Sequence, residues 1–296
     1  MQRPAPSGPL IDVAPPRRLF AGTAFALKAL WEHRQLLVLL VQRELKSRYK
    51  ESALGYFWSL MRPLSLLLIY YVAVGQFLGA ANQIPSFAIY IFAGLTAWTF
   101  FSEFTSLATN SIVANSGLIK KVYVPRELFP LASLGSSLFN FAIQFVILLI
   151  ALLVTGEFPL GLNLLYLPLA FLVLLLFSVG VGLILAATNV YLRDVQHLVD
   201  VAIMVLFWAS PIVYSVDMVH KELMGNWLEQ LYLLNPITLV VIGFQRALWT
   251  AGDTPERFWP PDLALHLGIA AVVGVFFVWF AQRIFARLEG NFAQEL

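Results

Sequence analysis

Cysteine and charge are the two scarce features of this 296-residue sequence. It contains no cysteine, so disulfides, thiolate metal ligands and a thiol nucleophile are excluded. Only 12% of the residues are charged and 59% are hydrophobic, against about 25% and about 45–50% in soluble domains. This composition excludes a soluble globular enzyme. An aromatic content of 14% with so little charge also excludes a disordered chain.

Motifs of catalysis and metal binding are missing as well. The four histidines are scattered without metal-ligand spacing, and the sequence has no H-E-x-x-H, no nucleophile elbow and no paired carboxylates. It has no G-x-x-x-x-G-K-[ST] phosphate loop, so the chain does not hydrolyse ATP by that route. We therefore expect no catalytic residue and no bound metal, and whatever energy drives this protein must come from a gradient or a partner.

Long uncharged stretches are what the sequence does contain. A helix needs about 20 apolar residues to cross a hydrocarbon core of about 30 Å, and the uncharged stretches provide six such helices. We predict an all-α integral membrane protein with a transmembrane domain at residues 53–290. Its predicted spans lie at about 54–80, 86–109, 129–155, 163–188, 195–214 and 262–284.

The distribution of positive charge predicts the orientation. With six spans and a cytoplasmic N-terminus, all but three of the 19 Lys and Arg residues lie inside, as the positive-inside rule requires. We therefore predict cytoplasmic termini. Residues 1–18 are rich in proline and carry Arg17 and Arg18, and residues 1–27 are expected to form a disordered cytoplasmic tail rather than a signal peptide. The apolar run at 232–251 is broken near its start by Asn235-Pro236. It would place Arg283 and Arg287 outside if it crossed the membrane, so we predict re-entrant or interfacial outer helices at 217–250.

A cationic amphipathic helix is predicted at residues 28–52, ahead of the first span. Its apolar residues alternate with basic ones at helical spacing, which is typical of a helix lying in the membrane interface. Its basic face carries Arg43, Lys46, Arg48 and Lys50. The plainer interpretation is that these cations only anchor the orientation of the first span.

Away from the edges of the predicted spans, where Asp200 is placed, two charged residues fall inside them, Arg62 in the first and Glu103 in the second. Counted along each helix from its cytoplasmic end, the two lie at similar depth. Charges inside a membrane are costly and usually paired, so we predict a salt bridge between Arg62 and Glu103, within one chain or across a dimer interface. Alternatively, both side chains extend to the interface.

Several segments together give the sequence a family resemblance. They are Arg43-Glu-Leu-Lys-Ser-Arg-Tyr-Lys50, Leu54-Gly-Tyr-Phe-Trp58 with Arg62-Pro63, Asn115-Ser-Gly-Leu-Ile-Lys-Lys-Val-Tyr-Val-Pro-Arg-Glu-Leu-Phe-Pro130, Asn189-Val-Tyr-Leu-Arg-Asp-Val195 and Leu234-Asn-Pro-Ile-Thr238. In this order they resemble ABC-2 type permeases, particularly those that export O-antigens, teichoic acids and related polysaccharides. The resemblance covers about residues 30–287.

This resemblance implies a half-transporter. The functional unit would be a homodimer of this chain with two copies of a separate ATPase subunit that binds ATP and Mg²⁺, with no cofactor on this chain and no nucleic acid. Segment 111–127 is similar to the coupling loop that sits in a cleft of the ATPase. The residues expected to contact the ATPase, with the last two forming a smaller contact, are Ser116, Lys120, Lys121, Arg126, Glu127, Arg193 and Asp194. The plainer interpretation is a solvated loop whose cations fix the topology.

The cargo is also implied by the resemblance: a polyprenyl-pyrophosphate-linked polysaccharide such as an O-antigen, a teichoic acid or a cell-wall galactan. The cationic helix would meet the pyrophosphate at the inner leaflet, because Lys and Arg suit phosphate. Aromatic rings stack on the C–H faces of sugars, so we predict a glycan path along Tyr56, Trp58, Tyr70 and Trp98. Each of these rings fits an interfacial belt or lipid-facing position equally well.

These features favour a polysaccharide exporter permease in a bacterial cytoplasmic membrane, and three other functions stay open. One is an ABC-2 permease for a drug or a lipid. A secondary transporter would have inverted repeats and charged midplane residues, which the sequence lacks. A membrane-embedded glycosyltransferase or phosphatase would need acidic or histidine residues clustered at one interface, and here they are dispersed.

Overall fold

Helices form nearly all of the structure, a computed structural model that describes residues 28–49, 57–121, 124–224, 226–255 and 257–296. Within these ranges there is no β-strand. The α-helices are α1 (Arg34–Tyr49), α2 (Phe57–Tyr70), α3 (Ala80–Gln83), α4 (Phe87–Ala114), α5 (Ser116–Ile119), α6 (Leu128–Thr155), α7 (Tyr166–Tyr191), α8 (Val195–Trp208), α9 (Val216–Leu223), α10 (Trp227–Leu234), α11 (Pro236–Leu248), α12 (Leu263–Leu288) and α13 (Phe292–Glu295). A π-helical segment, Tyr71–Phe77, continues α2, and 3₁₀ turns occupy Leu162–Leu165, Thr250–Gly252 and Glu289–Asn291.

Among the described residues, four helices are long and apolar enough to cross a membrane: α4, α6, α7 with its preceding turn, and α12 with its following turn. They contain 28 to 30 residues each, which at 1.5 Å per residue gives about 42 Å or more, longer than the hydrocarbon core. They correspond to the second, third, fourth and sixth predicted spans. Most of the apolar window of α4 is buried within the protomer, whereas only a small share of the corresponding windows of α6 and α12 is buried. The described part of the chain is therefore a helical membrane protein with α4 at its centre.

The first and fifth predicted spans have shorter apolar helices. The apolar part of the first is Pro63–Phe77, and α8 contains 14 residues, or about 21 Å of helix. Helix α8 ends at Trp208, six residues before the predicted end, because Pro211 lacks an N–H and disfavours helix in the residue before it. The turn that follows is held in the core by Tyr90, whose hydroxyl donates to the carbonyls of Pro211 and Tyr214 at 3.0 and 2.6 Å. The count of six spans stays a prediction.

Helices α10 and α11 form a pair bent by 80° at Asn235. The Asn235 side chain accepts from the Ile237 amide at 3.0 Å, and Pro236 occupies the first turn of α11, which is a favoured way to begin a helix. Helix α11 then runs through the core, with Val241 and Phe244 fully buried. A sharp bend was expected here, and whether the pair is re-entrant stays a prediction.

Small residues allow the helices to pack closely. Helix α7 packs against α4, α11 and α12, and at Gly180 a Cβ atom would lie 2.4 Å from the ring of Phe277 on α12. Helix α1 packs on α6 in the same way, since a Cβ at Gly135 would lie 2.6 Å from Val41. Glycine at a helix interface is a common device for close packing in membrane proteins. This close packing fixes α1 against α6. We name the end of the protomer that contains α1 the α1 end.

Candidate functional site

A cavity of 810 Å³ opens between α1, α2, α4, α6 and α8. Its lining comprises Arg48 from α1; Pro63, Leu66 and Tyr70 from α2; Leu95, Trp98, Thr99, Ser102, Glu103, Ser106 and Leu107 from α4; Asn140 and Gln144 from α6; and Asp200, Ile203, Met204, Phe207 and Trp208 from α8. One side of the lining is aromatic and the other is polar. Concave sites of this size, mostly apolar with a few placed polar groups, are where small ligands bind.

Aromatic rings from three helices meet on one side of the cavity. The Phe207 ring stacks on Tyr70 with centroids 5.6 Å apart and meets Trp98 edge-on, also at 5.6 Å. Trp208 packs edge-on against Phe207 at 5.5 Å and is mostly exposed. Two predicted path residues, Tyr70 and Trp98, are thus brought together by Phe207. Aromatic faces of this kind can stack on a sugar or another flat apolar surface.

Two predicted path residues cannot be placed in the cavity. Tyr56 and the side chain of Trp58 lie outside the described residues. The sequence singled out Phe207 only as one of many aromatics. No local signal marked it, because its position depends on how α8 is rotated against α2 and α4.

The polar side of the cavity is built around Glu103. Arg48 donates to the Glu103 carboxylate at 2.5 Å, and Asn140 donates to the same oxygen at 2.7 Å. A second carboxylate, Glu44, lies 3.4 Å from the other Arg48 nitrogen. Hydrogen bonds between ions of opposite charge are among the stronger ones in proteins. This network joins the interface helix α1 to α4 and α6.

Glu103 was predicted to pair with Arg62. Among the described residues its partners are Arg48 and Asn140, and the Arg62 side chain lies outside them. The Arg62–Glu103 pair therefore stays a prediction. The sequence carried one signal for the observed network: Glu44 and Arg48 are four residues apart, a spacing that brings opposite charges together on a helix.

Gln144 supplies a further polar group one turn beyond Asn140 on α6. Its side chain is only 4% exposed, and its Nε2 has no hydrogen-bond partner among the described residues. Buried polar groups are almost always hydrogen-bonded, so an amide donor left over at a cavity wall indicates room for a ligand or water. On the opposite helix α4, the Ser106 hydroxyl accepts from Gln196 at 3.2 Å. Sequence reasoning missed Gln144. The visible signal was the spacing of Asn140 and Gln144, two amide side chains four residues apart inside an apolar span.

The cations predicted to meet a lipid pyrophosphate are divided by the structure. Arg48 lines the cavity, whereas Arg43 donates to the Asn115 side chain and Lys46 is exposed to solvent. Lys50 lies outside the described residues. Burial raises the pKa of Glu44, between Arg43 and Arg48, above its ordinary value of 4.5, while Arg48 acts in the opposite direction. Helix α1 therefore contacts both the cavity and the segment predicted to couple to an ATPase.

The predicted coupling segment presents some of its residues outward and others inward. Lys120 and Lys121 are exposed, and Ser116 is half-buried at the start of α5. Arg126 donates to the backbone carbonyl of Glu289. Residues 122–123 lie outside the described residues. Of the described residues predicted to contact the ATPase in this segment, Lys120 and Lys121 are the exposed ones.

Glu127 also points into the protein. It is 6% exposed and accepts from Gln282 on α12 at 3.1 Å. Burial raises the pKa of Glu127, against the opposing effects of the Gln282 hydrogen bond and the nearby Arg283 charge. The structure thus gives Arg126 and Glu127 partners within the chain, and their predicted contact with an ATPase stays a prediction.

Residues 289–296, which we name the C-terminal segment, lie between the two predicted coupling elements. Phe292 is fully buried there, with the Arg126 guanidinium 5.7 Å from its ring centre. The Tyr191 ring lies 6.1 Å from Phe292, and its hydroxyl donates to the Leu288 carbonyl at 2.6 Å. Tyr191 ends α7, and the exposed Arg193 and Asp194 follow it. The C-terminal segment therefore contacts both elements.

The other end of the protomer is closed by α9, α10, α11 and their loops. Arg257 pairs with Asp217 at 3.5 Å, donates to the Gln83 carbonyl at 2.7 Å and lies 4.7 Å from the Trp249 ring centre. Trp249 donates to the Pro85 carbonyl at 2.7 Å. These contacts fasten the loops to the beginning of α4. We name this end of the protomer, which these non-covalent contacts hold together, the cap.

The fold and the cavity together define a class, that of a multi-pass helical membrane protein with a ligand-sized cavity between its helices. Residues 35–249 match the sequence profile of the family described as "ABC-2 type transporter". The match covers most of the chain. The chain belongs to the ABC-2 type transporter family and is a multi-pass protein of the cytoplasmic membrane.

Relatives with named functions agree with this family. The chain is 30% identical to the O-antigen export system permease protein RfbA of Myxococcus xanthus, over 91% of this chain and 98% of the relative. It is 28% identical to the protein of the same name from Klebsiella pneumoniae, over 88% and 95%. It is 27% identical to the polysialic acid transport protein KpsM of Escherichia coli, over 68% and 76%.

Proposed function

We propose that this chain is the permease subunit of an ABC exporter that moves a polyprenyl-pyrophosphate-linked polysaccharide across the cytoplasmic membrane. The observation that carries the proposal is the cavity, where Arg48 and Glu103 on the polar side adjoin Tyr70, Trp98 and Phe207 on the aromatic side. Such a lining suits a cargo with an anionic head and sugar rings. Relatives named for O-antigen export and polysialic acid transport support the same cargo class.

The proposed topology has six spans. Helix α2 with its π-helical continuation and helix α8 complete the four long helices, and both termini lie in the cytoplasm. The charge distribution supports this orientation, because it leaves only Lys221, Arg246 and Arg257 outside. The α1 end then faces the cytoplasm, and α9 to α11 form a cap on the outer side.

The proposed path for the cargo begins at α1. The cations of α1 attract the pyrophosphate at the inner leaflet, and Arg48 receives it at the cavity. Sugar units then stack on Tyr70, Trp98 and Phe207, and the unpaired amide of Gln144 donates to a sugar hydroxyl. The sequence also assigns Tyr56 and Trp58 to this path.

The proposed energy source is a separate ATPase. The sequence has no phosphate loop, so two copies of a partner bind ATP and Mg²⁺, and this chain forms a homodimer with no cofactor of its own. Lys120, Lys121 and Ser116 form the main contact with the ATPase, together with Arg126 and Glu127 behind them. Arg193 and Asp194 form the smaller contact.

Affinity purification from native membranes tests the assembly. We expect an ATPase with a phosphate loop to purify in stoichiometric amount with the unaltered chain, and the double variant Lys120→Glu/Lys121→Glu to lose it. Lys221→Glu, an exposed lysine on the proposed outer side, is the matched control and should retain the ATPase. Absence of any ATPase after crosslinking would refute the proposal and favour a secondary transporter.

Deletion of the chain in its native cell tests the cargo. The proposal predicts that a lipid-linked polysaccharide accumulates inside the cell and disappears from the surface. An ATPase partner combined with an unchanged surface polysaccharide would favour a drug or lipid permease instead.

A further inference from the structure

We propose that Glu103 is a built-in anion that occupies Arg48 when no cargo is bound, and that the pyrophosphate of the cargo takes its place. This inference rests on the proposed function and concerns how the cavity admits its cargo. It assigns Glu103 the role of a competitor for Arg48, where a structural salt bridge would be the simpler interpretation.

The charges around Arg48 carry the first step. Its guanidinium has five N–H donors and lies 2.5 Å from Glu103 and 3.4 Å from Glu44. The Arg48 and Glu103 side chains are only 23% and 19% exposed, so solvent screens them incompletely. Among the described residues, each terminal nitrogen of Arg48 faces a carboxylate, and Asp200 adds a further carboxylate to the cavity lining. A phosphate can therefore bind both terminal nitrogens of Arg48 together only if a carboxylate withdraws.

The second step identifies the carboxylate that can withdraw. Glu103 accepts a second hydrogen bond from Asn140 at 2.7 Å, so it keeps a donor on α6 after Arg48 has left. The cost of an unpaired buried charge is thereby reduced. A pyrophosphate can then accept two parallel N–H bonds from Arg48, a geometry that guanidinium groups favour with phosphate.

The third step concerns the cavity. Arg48 belongs to α1 and Glu103 to α4, and the hydrogen bond between them joins the two helices on the polar side of the cavity. When the pyrophosphate replaces Glu103, α1 is released from α4 at this point while its contact with α6 at Gly135 remains. The pyrophosphate group of the cargo thus breaks this contact between α1 and α4, and an uncharged glycan or lipid does not break it.

Binding of farnesyl pyrophosphate to the purified full-length chain tests the exchange. Loss of one charge-assisted hydrogen bond changes a dissociation constant by about tenfold or more. If Glu103 competes for Arg48, Glu103→Gln binds farnesyl pyrophosphate about tenfold more tightly than the unaltered chain, and Arg48→Gln binds it about tenfold more weakly. Glu32→Gln is the matched control, because Glu32 is exposed and, among the described residues, its ion pair is with the exposed Lys28, at 3.9 Å. Its affinity should not change.

The sign of the Glu103→Gln effect decides between the two roles. Weaker binding, as in Arg48→Gln, means that Glu103 holds Arg48 in place for the ligand, and this overturns the inference while leaving the proposed export function intact. Unchanged binding in both variants overturns it too. If Glu103→Gln does not purify as a folded species, Glu103→Asp shortens the carboxylate by one methylene and should also tighten binding.

Inorganic pyrophosphate distinguishes the two possible sources of the anion. Binding as tight as that of farnesyl pyrophosphate supports exchange with the anion alone. Tighter binding of the farnesyl compound, with the same sign in Glu103→Gln, supports exchange with a lipid headgroup. No binding of either compound to any variant overturns the inference, and copurification of the ATPase then shows separately whether the proposed function survives.

Discussion

Replacing Phe292 with alanine should loosen the whole α1 end. The ring is fully buried and packs at right angles to Phe285, with centroids 5.6 Å apart. It also contacts Tyr191 and the Arg126 guanidinium. Because these partners belong to three different parts of the chain, loss of one ring affects both predicted coupling elements.

The expected magnitude follows from burial. A fully buried phenylalanine replaced by alanine costs about 3–5 kcal/mol, and each 1.4 kcal/mol is about a factor of ten in an equilibrium. The population with a detached C-terminal segment should therefore rise about a hundredfold or more. Backbone hydrogen exchange of residues 289–296 measures this population directly. One reporter is the amide of Leu296, which donates to the Phe292 carbonyl at 3.0 Å.

Exchange should also rise, by a smaller factor, at residues 124–131 and 188–192, because they lose a packing partner. Phe280→Ala is the matched control, since Phe280 is on the neighbouring helix α12 and 54% exposed. Faster exchange in the C-terminal segment with no change at 124–131 would refute the idea that this segment braces the coupling loop. Equal behaviour of the two variants would refute the burial argument itself.

Two further predictions concern stability. Burial raises the pKa of Glu127 above 4.5, so at pH values between 4.5 and the raised pKa the folded protein retains a proton that the unfolded chain has lost. The free energy of unfolding should therefore fall as pH rises through this range. Glu127→Gln should lessen that slope in unfolding midpoints measured between about pH 4 and pH 8, and Glu44, whose pKa burial also raises, should account for part of the slope that remains; an undiminished slope would contradict the assignment to Glu127. Gly180→Ala would place a methyl 2.4 Å from Phe277, and we expect a loss of about 1–3 kcal/mol in thermal unfolding. Gly268→Ala, with no atom within 4 Å of the added methyl, should cost nothing, and similar midpoints for both would contradict the close packing.

Much of the fold was readable in the sequence because a bilayer imposes local rules. An uncharged helix of about 20 residues has few alternatives in lipid, so four spans could be predicted from stretches without charge. The break at Asn235 was also predictable, because proline acts within its own turn. The end of α8 at Trp208 was not, since the buried turn that follows depends on hydrogen bonds from Tyr90, more than a hundred residues away in the chain.

The candidate site, like the fold, could be predicted from the sequence only in part. Arg48 and Glu103 stood out in the sequence because charge is rare in this chain, and Tyr70 and Trp98 because sugar paths favour aromatic rings. Only the tertiary structure brought Arg48 to Glu103 across 55 residues of sequence and placed Phe207 between the two aromatics. The physical reason is that composition and periodicity decide which segments enter the membrane, whereas packing between distant helices decides which side chain of a segment meets which partner.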